Sequence, residues 1–181
     1  IKDGKQLLWM SERDNWNHLY LYDVQKSKVI RQITTGDWFV RGIQRVDEEK
    51  GEIYFSASGV NKNEDPYLVH YYKIGIDGKN MVALTPEEGN HSAQYTYDYR
   101  YLLDTYSKVD AAPVTVLRDA QTGKLVKTLE TADIATLKKH GWVAPEVFVA
   151  KGRDGKTDMW GIIQRPTNFD PNKKYPVIEY I

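Results

Sequence analysis

The sequence contains no cysteine among its 181 residues. Disulfides, thiolate catalysis and zinc–thiolate sites are therefore excluded. An excess of charge of one sign is also missing, because 25 lysines and arginines balance 25 aspartates and glutamates. Nucleic-acid-binding domains and polybasic membrane-surface proteins normally carry a strong basic excess. The charge balance argues against both classes, so no nucleic-acid partner is predicted.

Long hydrophobic runs are absent as well. The longest stretches free of aspartate, glutamate, lysine and arginine are nine residues each, Ile53–Asn61 and Gly89–Tyr97. A membrane span needs about 20 apolar residues, so this segment is predicted to contain none. What is present is an ordinary globular composition, 41% hydrophobic and 12% aromatic. The length suits one domain, or one domain and a fragment of another.

Both ends of the sequence look like the middle of a folded unit. Asp3-Gly4-Lys5 precedes the apolar run Gln6–Met10, which is typical of a hairpin turn leading into a strand. Tyr175–Ile181 has a strand pattern that no turn or cap follows. We interpret the sequence as an excerpt from a longer protein. A natural small protein with frayed termini is the alternative.

Three segments of the chain resemble one another, each alternating strand patterns with polar turns. Their equivalent strand ends are Ile33, Leu84 and Leu129, which lie 51 and 45 residues apart. Periods of about 40–50 residues with four short strands are typical of β-propeller blades. The predicted strands are Leu7–Glu12, His18–Val24 and Val29–Thr34 in the first segment, Trp38–Val46, Glu52–Ser58, Val69–Ile76 and Met81–Thr85 in the second, and Ser92–Tyr97, Tyr101–Ser107, Pro113–Arg118 and Leu125–Glu130 in the third.

The repeat predicts a mainly β fold, a partial β-propeller of about three antiparallel blades over residues 1–130. The blades are predicted at about 1–35, 36–85 and 86–130, and the first lacks its innermost strand. An unrelated antiparallel sheet with coincidental spacing is the alternative.

The pattern changes after residue 130. A short helix is predicted over Thr131–Gly141, with Asp133 as its cap. Two alternating segments, Glu146–Lys151 and Met159–Gln164, then predict a β-hairpin. A polar link leads from there to the final strand predicted at Tyr175–Ile181.

Several strings of residues resemble a known family. Trp16–Tyr22 and Gly36–Trp38 resemble blade strands of the dipeptidyl-peptidase IV group within the prolyl oligopeptidase family. Phe169–Pro171 and Lys173–Ile178 look like the lead-in to the α/β-hydrolase domain of that family. The resemblance spans almost the whole chain, and it suggests that residues 131–181 are a linker helix and the start of the hydrolase domain.

The resemblance implies a two-domain serine exopeptidase in which a propeller admits peptides to a Ser-Asp-His site. Such enzymes remove N-terminal dipeptides with Pro or Ala in second position, and bacterial members are often periplasmic or secreted. The nucleophile of the family lies in a Gly-x-Ser-x-Gly elbow, which this sequence lacks. The oxyanion-stabilising Tyr-x-Gly-Pro loop is expected directly after Ile181. The sequence therefore assigns no catalytic, substrate-binding, cofactor-binding or metal-binding residue, and predicts that this chain alone is inactive.

The remaining candidates for chemistry have structural explanations. None of the four histidines has metal-ligand spacing to another, so no metal is predicted. His18 and His70 are expected on strands, half-buried or hydrogen-bonded, and His140 at a helix end. Three serines lie on or beside predicted strands, which excludes a nucleophile elbow; they are Ser56, Ser58 and Ser107. No glycine-rich phosphate loop is present, and no cofactor is predicted.

Two acidic runs and a dense set of tyrosines are further features of the sequence. Asp47-Glu48-Glu49 and Glu87-Glu88 are expected to be solvated turns, and Asn90-His91-Ser92 matches a glycosylation sequon. The dense tyrosines suit either a ligand-binding face or packing between blades, and packing is preferred. These tyrosines are Tyr67, Tyr71, Tyr72, Tyr95, Tyr97, Tyr99, Tyr101 and Tyr106.

Two functions remain open from the residues alone. The first is an excerpt of a serine exopeptidase with a structural and gating role. The second is a non-enzymatic propeller that binds a peptide, glycan or protein partner, since propellers host many functions. The tail Lys173–Ile178 favours the first, because a pure binding propeller has no need of a hydrolase lead-in. Exposed blade faces and the final strand also predict self-association.

Overall fold

The computed structural model describes residues 1–180, and strands dominate it. The strands are β1 (Gln6–Ser11), β2 (His18–Asp23), β3 (Lys28–Gln32), β4 (Phe39–Asp47), β5 (Glu52–Ser58), β6 (Val69–Gly75), β7 (Val82–Ala83), β8 (Asn90–Tyr95), β9 (Tyr101–Lys108), β10 (Ala111–Asp119), β11 (Leu125–Thr131), β12 (Glu146–Lys151) and β13 (Asp158–Ile163). The one described helix is α1 (Ala135–Lys139).

The first eleven strands form three antiparallel sheets in chain order. The first sheet contains β1–β2–β3, the second β4–β5–β6–β7 and the third β8–β9–β10–β11. Each sheet is a meander in which sequential strands are neighbours. The prediction of a mainly β fold is confirmed. The chain is a partial β-propeller of three blades, and the first blade has three strands.

Two apolar clusters hold the three sheets face to face. The cluster between the first and second sheets joins Leu19, Leu21 and Ile33 to Val40, Ile53, Phe55, Ala57, Tyr72 and Ile74. The cluster between the second and third sheets joins Tyr54 and Leu84 to Leu102 and Ala120. The second sheet contributes to both clusters because successive side chains of a strand point to opposite faces. Ile53 and Phe55 face the first sheet, while Tyr54 between them faces the third.

The outermost strands of the first two sheets are shorter than the sequence predicts. β3 ends at Gln32 rather than Thr34, and β7 contains only Val82 and Ala83. The residues that follow β3 leave the regular ladder but stay buried. The Thr34 hydroxyl accepts a hydrogen bond from the Leu19 amide at 2.9 Å, which replaces a ladder bond.

A glycine turn in each four-stranded sheet packs against the backbone of the preceding sheet. Gly78 has a φ of +82° and lies against Ile33, and Gly123 has a φ of +72° and lies against Leu84. Ile33 and Leu84 are the strand ends that define the repeat. The same backbone contact is therefore made twice, at positions where a left-handed residue without a Cβ is needed.

The chain divides into two compact units. One contains residues 1–108 and 113–132, and the other contains residues 109–112 and 133–181. In the second unit, β12 and β13 pair antiparallel from Glu146↔Ile163 to Lys151↔Asp158, so the predicted hairpin is confirmed. Both faces of this hairpin expose apolar side chains, among them Val147, Phe148, Met159 and Ile162.

The helix of the second unit is shorter than predicted. It covers Ala135–Lys139 instead of Thr131–Gly141, because Thr131 is still paired in β11. The predicted capping role of Asp133 is wrong in detail. Ile134 occupies the N-cap position, and the Asp133 carboxylate accepts a hydrogen bond from the Ala135 amide at 2.8 Å.

The strand predicted for Tyr175–Ile181 is not formed by residues 175–180, and Ile181 lies outside the described residues. A strand needs a neighbouring strand to satisfy its backbone groups, and no described strand pairs with this segment. Val177 and Ile178 are consequently 89% and 95% exposed. Among residues 1–180 no helix is long and apolar enough to cross a membrane.

Candidate functional site

Two histidines occupy equivalent buried positions in the first and second sheets. His18 Nδ1 lies 3.0 Å from the Thr34 hydroxyl, and His70 Nδ1 lies 2.8 Å from the Thr85 carbonyl oxygen. In both sheets the residue after the histidine donates its amide to the threonine hydroxyl. The expectation of hydrogen-bonded histidines on strands is confirmed, and burial is deeper than expected, since both are under 4% exposed.

The third sheet contains a buried network of charged groups. Asp104 is its centre, accepting from Arg118 Nε at 2.9 Å and lying 2.8 Å from His91 Nδ1. Arg118 also pairs with the Glu87 carboxylate and donates to the Gly123 carbonyl oxygen at 3.3 Å. Asp104, Arg118 and His91 are all buried. Such groups are tolerated inside a protein only when their charges and hydrogen bonds are matched, as they are here.

The ring nitrogens of His70 and His91 are occupied by neighbouring groups of the protein. The rings of His70 and His91 lie 4.8 Å apart across the contact of the second and third sheets. The second nitrogen of His70 contacts Glu64, and that of His91 contacts the Glu87 carbonyl oxygen, both at 2.8 Å. All four nitrogens are therefore occupied within the protein. No group of three or more potential ligands is assembled anywhere in residues 1–180. His140, at the end of α1, contacts the Thr136 carbonyl oxygen as a helix-end residue.

The three serines named in the sequence analysis all lie on strands. Ser56 and Ser58 are buried in β5, and Ser107 lies near the end of β9. The Ser56 hydroxyl accepts a hydrogen bond from Gln44 at 3.3 Å. Neither β5 nor β9 leads into a helix, so none of the three serines has the strand–turn–helix setting of a nucleophile elbow.

The tyrosine cluster divides into packed and exposed members. Tyr72 belongs to the core between the first and second sheets, while Tyr71 and Tyr95 pack at the other contact. Burial raises the pKa of Tyr72 and Tyr95, and it raises the pKa of Tyr54 to about 12. These phenols stay protonated at neutral pH and serve packing. The packing interpretation is confirmed for them and is wrong for two loop residues that are largely solvent-exposed, Tyr67 and Tyr97.

The expectation of solvated acidic turns is wrong at two positions. Asp47 is 8% exposed and accepts a hydrogen bond from Arg45 at 3.1 Å. Glu87 pairs with the buried Arg118. Solvent-exposed carboxylates were expected at both positions. Instead, each carboxylate forms an ion pair with an arginine on a strand of the sheets. Glu88 behaves as expected and lies at the surface, 2.9 Å from Lys108.

A charged cleft of about 550 Å³ opens between the first and second sheets. One ion pair and two hydrogen bonds that involve the backbone lie along it. Lys73 lies 2.6 Å from Glu52, and Arg31 donates to the Asp77 carbonyl oxygen at 3.2 Å. The Lys2 amide donates to Glu48 at 2.8 Å.

An aromatic cleft of about 520 Å³ opens where the β1–β2 turn meets the start of β4. One wall is the turn and the other is the strand. The lining residues are Glu12, Asn15, Trp16 and Asn17 on the turn wall and Phe39, Val40 and Arg41 on the strand wall. The Arg41 guanidinium lies over the Phe39 ring, 5.3 Å from its centroid. This cleft was not predicted from the sequence, because its walls are about 25 residues apart and only the packing of two sheets joins them.

Residues 1–131 of the chain form a β-propeller segment of three antiparallel sheets. The family model for the N-terminal region of dipeptidyl peptidase IV matches residues 1–113. The chain belongs to this dipeptidyl peptidase IV family.

Curated relatives extend the match beyond the family model. A probable dipeptidyl peptidase 4 of Arthroderma benhamiae and the dipeptidyl peptidase 4 of Trichophyton rubrum are each 30% identical over 174 residues. The alignments cover 93% of this chain and 22% of each relative. The chain thus spans about a fifth of the length of these proteins.

Solved structures agree with the curated relatives. A putative dipeptidyl aminopeptidase IV from Bacteroides ovatus superimposes with a TM-score of 0.75 at 28% identity, covering 95% of this chain and 26% of that one. Dipeptidyl peptidase 4 from Porphyromonas gingivalis gives a TM-score of 0.72 at 26% identity, with 94% and 24% covered.

Proposed function

We propose that this chain serves a serine exopeptidase that releases N-terminal dipeptides with Pro or Ala in second position. Its own role is structural and gating, and the catalytic groups lie elsewhere in the longer protein. The observation that carries the proposal is the similarity to proteins named dipeptidyl peptidase 4 over 93% of the chain. The sequence supports this division of labour, since it contains no Gly-x-Ser-x-Gly elbow.

We propose a domain boundary near residue 130. Residues 1–130 would form the propeller part, with blades at about 1–35, 36–85 and 86–130, and residues 131–181 the linker and the start of a hydrolase domain. The division of the chain into two compact units supports this boundary, because one unit ends at residue 132. The hairpin β12–β13 supports it too, since a two-stranded hairpin that is apolar on both faces needs further strands and covering layers.

The activity assay has a direct expected result. The intact protein should release dipeptides from an Xaa-Pro chromogenic substrate, and a fluorophosphonate should label one serine in it. The 181-residue chain should show neither turnover nor label, because its sequence has no Gly-x-Ser-x-Gly elbow. Cleavage of internal bonds only, or no cleavage, by the intact protein would contradict the dipeptidase assignment. Labelling of a serine in the short chain would contradict its structural role.

We also propose that this chain, in isolation, self-associates. Leu7 and Trp9 are 46% and 53% exposed on the face of the first sheet that points away from the second sheet. Val177 and Ile178 expose nearly all of their surface in the tail. Contiguous exposed apolar surface favours association.

Light scattering at micromolar concentration should give about twice the monomer mass for this chain. Deletion of residues 166–181 tests the tail, and Trp9→Lys tests the sheet face by placing a charge in it. A dimer lost on deletion supports the tail, and a dimer lost only in Trp9→Lys supports the face. A monomer before any change would contradict self-association.

A further inference from the structure

His70 is buried where the second and third sheets meet, and both of its ring nitrogens face oxygens that accept hydrogen bonds. Nδ1 lies 2.8 Å from the Thr85 carbonyl oxygen, and Nε2 lies 2.8 Å from the Glu64 carboxylate. A neutral imidazole has a single N–H, so one of its nitrogens would direct a lone pair at an oxygen lone pair. A proton shared with Glu64 rests on the ring, because imidazole is a stronger base than a carboxylate. The contacts of His70 therefore call for a proton on each nitrogen.

His91 has the same arrangement in the third sheet and is equally buried. Nδ1 lies 2.8 Å from the Asp104 carboxylate, and Nε2 lies 2.8 Å from the Glu87 carbonyl oxygen. The other carboxylate oxygen of Asp104 accepts from Arg118 Nε at 2.9 Å, and this neighbouring cation favours the ionised acid. The contacts of His91 therefore call for two N–H donors as well.

His18, at the equivalent position of the first sheet, has one different partner. Its Nε2 lies 2.9 Å from the Gly36 carbonyl oxygen, but its Nδ1 lies 3.0 Å from the Thr34 hydroxyl. That hydroxyl accepts from the Leu19 amide and still has its own proton to donate. A neutral ring satisfies both contacts of His18. The position in the sheet thus does not by itself require a cation, and the partners of His70 and His91 do.

The charges around the two rings balance when both rings are protonated. Three cations then face three carboxylates, namely His70, His91 and Arg118 against Glu64, Asp104 and Glu87. The ring centroids of the two histidines are 4.8 Å apart, whereas each ring has a carboxylate oxygen at 2.8 Å, so attraction exceeds the mutual repulsion. Among the described residues, two phenols also lie against the rings, Tyr72 and Tyr106. Burial raises the pKa of both phenols, so neither adds a charge at neutral pH.

We infer that His70 and His91 are both held as imidazolium ions and form a proton-dependent lock between the second and third sheets. Loss of a proton from either ring would replace a hydrogen bond by a contact between two lone pairs. It would also leave the carboxylate of Glu64 or Asp104 without its cation at a site with little access to water. The inference goes beyond the peptidase function proposed above and does not depend on it.

The lock gives stability a definite dependence on pH. An unfolded histidine releases its proton near about pH 6.5. A folded ring that keeps its proton above that pH makes the folded state bind more protons than the unfolded state, so stability falls as the pH rises. The contact between the second and third sheets should therefore weaken on the alkaline side of neutrality.

The first experiment records the ring N–H signals of the intact protein, isotope-labelled in its histidine rings, at about pH 7.5. His70 and His91 should each give two N–H signals and His18 one, each assigned by its loss in the corresponding His→Gln variant. The isosteric Glu64→Gln removes one counter-charge and should leave His70 with a single N–H signal. This change identifies the His70 ring even if His70→Gln fails to fold. The matched control is Glu49→Gln, at an exposed carboxylate of the β4–β5 turn, which should leave both signals.

The second experiment measures the thermal midpoint of the intact protein at about pH 7 and about pH 9. The midpoint should fall over this interval, and the fall should be about 2 °C smaller in Glu64→Gln, which can keep a neutral ring at His70. Glu49→Gln should follow the unaltered protein. A single N–H signal from His70 or from His91 in the unaltered protein would overturn the inference. An equal fall of the midpoint in Glu64→Gln and in the unaltered protein would overturn it too.

Discussion

Replacing Arg118 by methionine is expected to lower the free energy of unfolding by about 3–5 kcal/mol. The arginine is 1% exposed and neutralises two carboxylates, Asp104 and Glu87. Its removal leaves Asp104 charged and buried, with His91 as its remaining polar partner. Stranding a buried charge costs more than the ion pair contributes in net stability. Urea unfolding followed by tryptophan fluorescence measures the change.

The control for this substitution is Arg100→Met, in the turn between β8 and β9 of the same sheet. The Arg100 side chain is 71% exposed and lies 4.0 Å from Asp98, so its loss should change stability by less than about 0.5 kcal/mol. The double variant Asp104→Leu with Arg118→Met should be less destabilised than the sum of the two single variants, because it removes both members of the buried pair. Equal effects at Arg118 and Arg100 would contradict the assignment of a buried network.

The second large effect is expected at Gly123. In Gly123→Ala the new Cβ would lie 2.5 Å from the Ala83 carbonyl oxygen and 2.8 Å from the Leu84 Cα. Both are backbone atoms of the second sheet and cannot rotate away. The left-handed φ of +72° adds strain of its own. The expected loss of stability is about 2–3 kcal/mol.

Gly51→Ala provides the matched control because it separates strain from collision. Gly51 has a similar φ of +65°, lies in the same compact unit and has no atom within 4 Å of a built Cβ. The control should cost about 1 kcal/mol, the strain alone. An equal decrease in the free energy of unfolding for both variants would contradict a stability cost from the collision of the Gly123 turn with the preceding sheet. The same measurement on Gly78→Ala should give an intermediate value, since its closest contact is 3.1 Å.

Sequence patterns located the strands well because their information is local. Alternation of apolar and polar residues placed β5, β9 and β12 within a residue of their observed bounds. The strand ends Ile33 and Leu84 identified the repeat, and the structure shows why they recur: each contacts the glycine turn of the next sheet. Local patterns failed for Tyr175–Ile181, where strand propensity was high but no described partner strand is present.

The buried network had a signal in the sequence that was missed. Asp104 follows Leu102 by two residues, and Arg118 follows Val116 by two, so each charge shares a strand face with a buried apolar residue. When two neighbouring strands each carry a charged residue on the face that holds their core residues, and the charges are opposite, a buried ion pair is indicated. The role of Glu87 had no such signal, because it lies in a turn and reaches Arg118 only through the fold.

The sequence by itself determined the β class, the order of the strands, the repeat that makes three sheets and the resemblance to a peptidase family. All of these depend on residue type and spacing along the chain. Only the tertiary structure decided which side chains meet between sheets: His70 with His91, Glu87 with Arg118, and the turn wall with the strand wall of the aromatic cleft. Those contacts join residues that are distant in sequence, 31 positions apart for Glu87 and Arg118, and their geometry is set by tertiary packing, which no local pattern records.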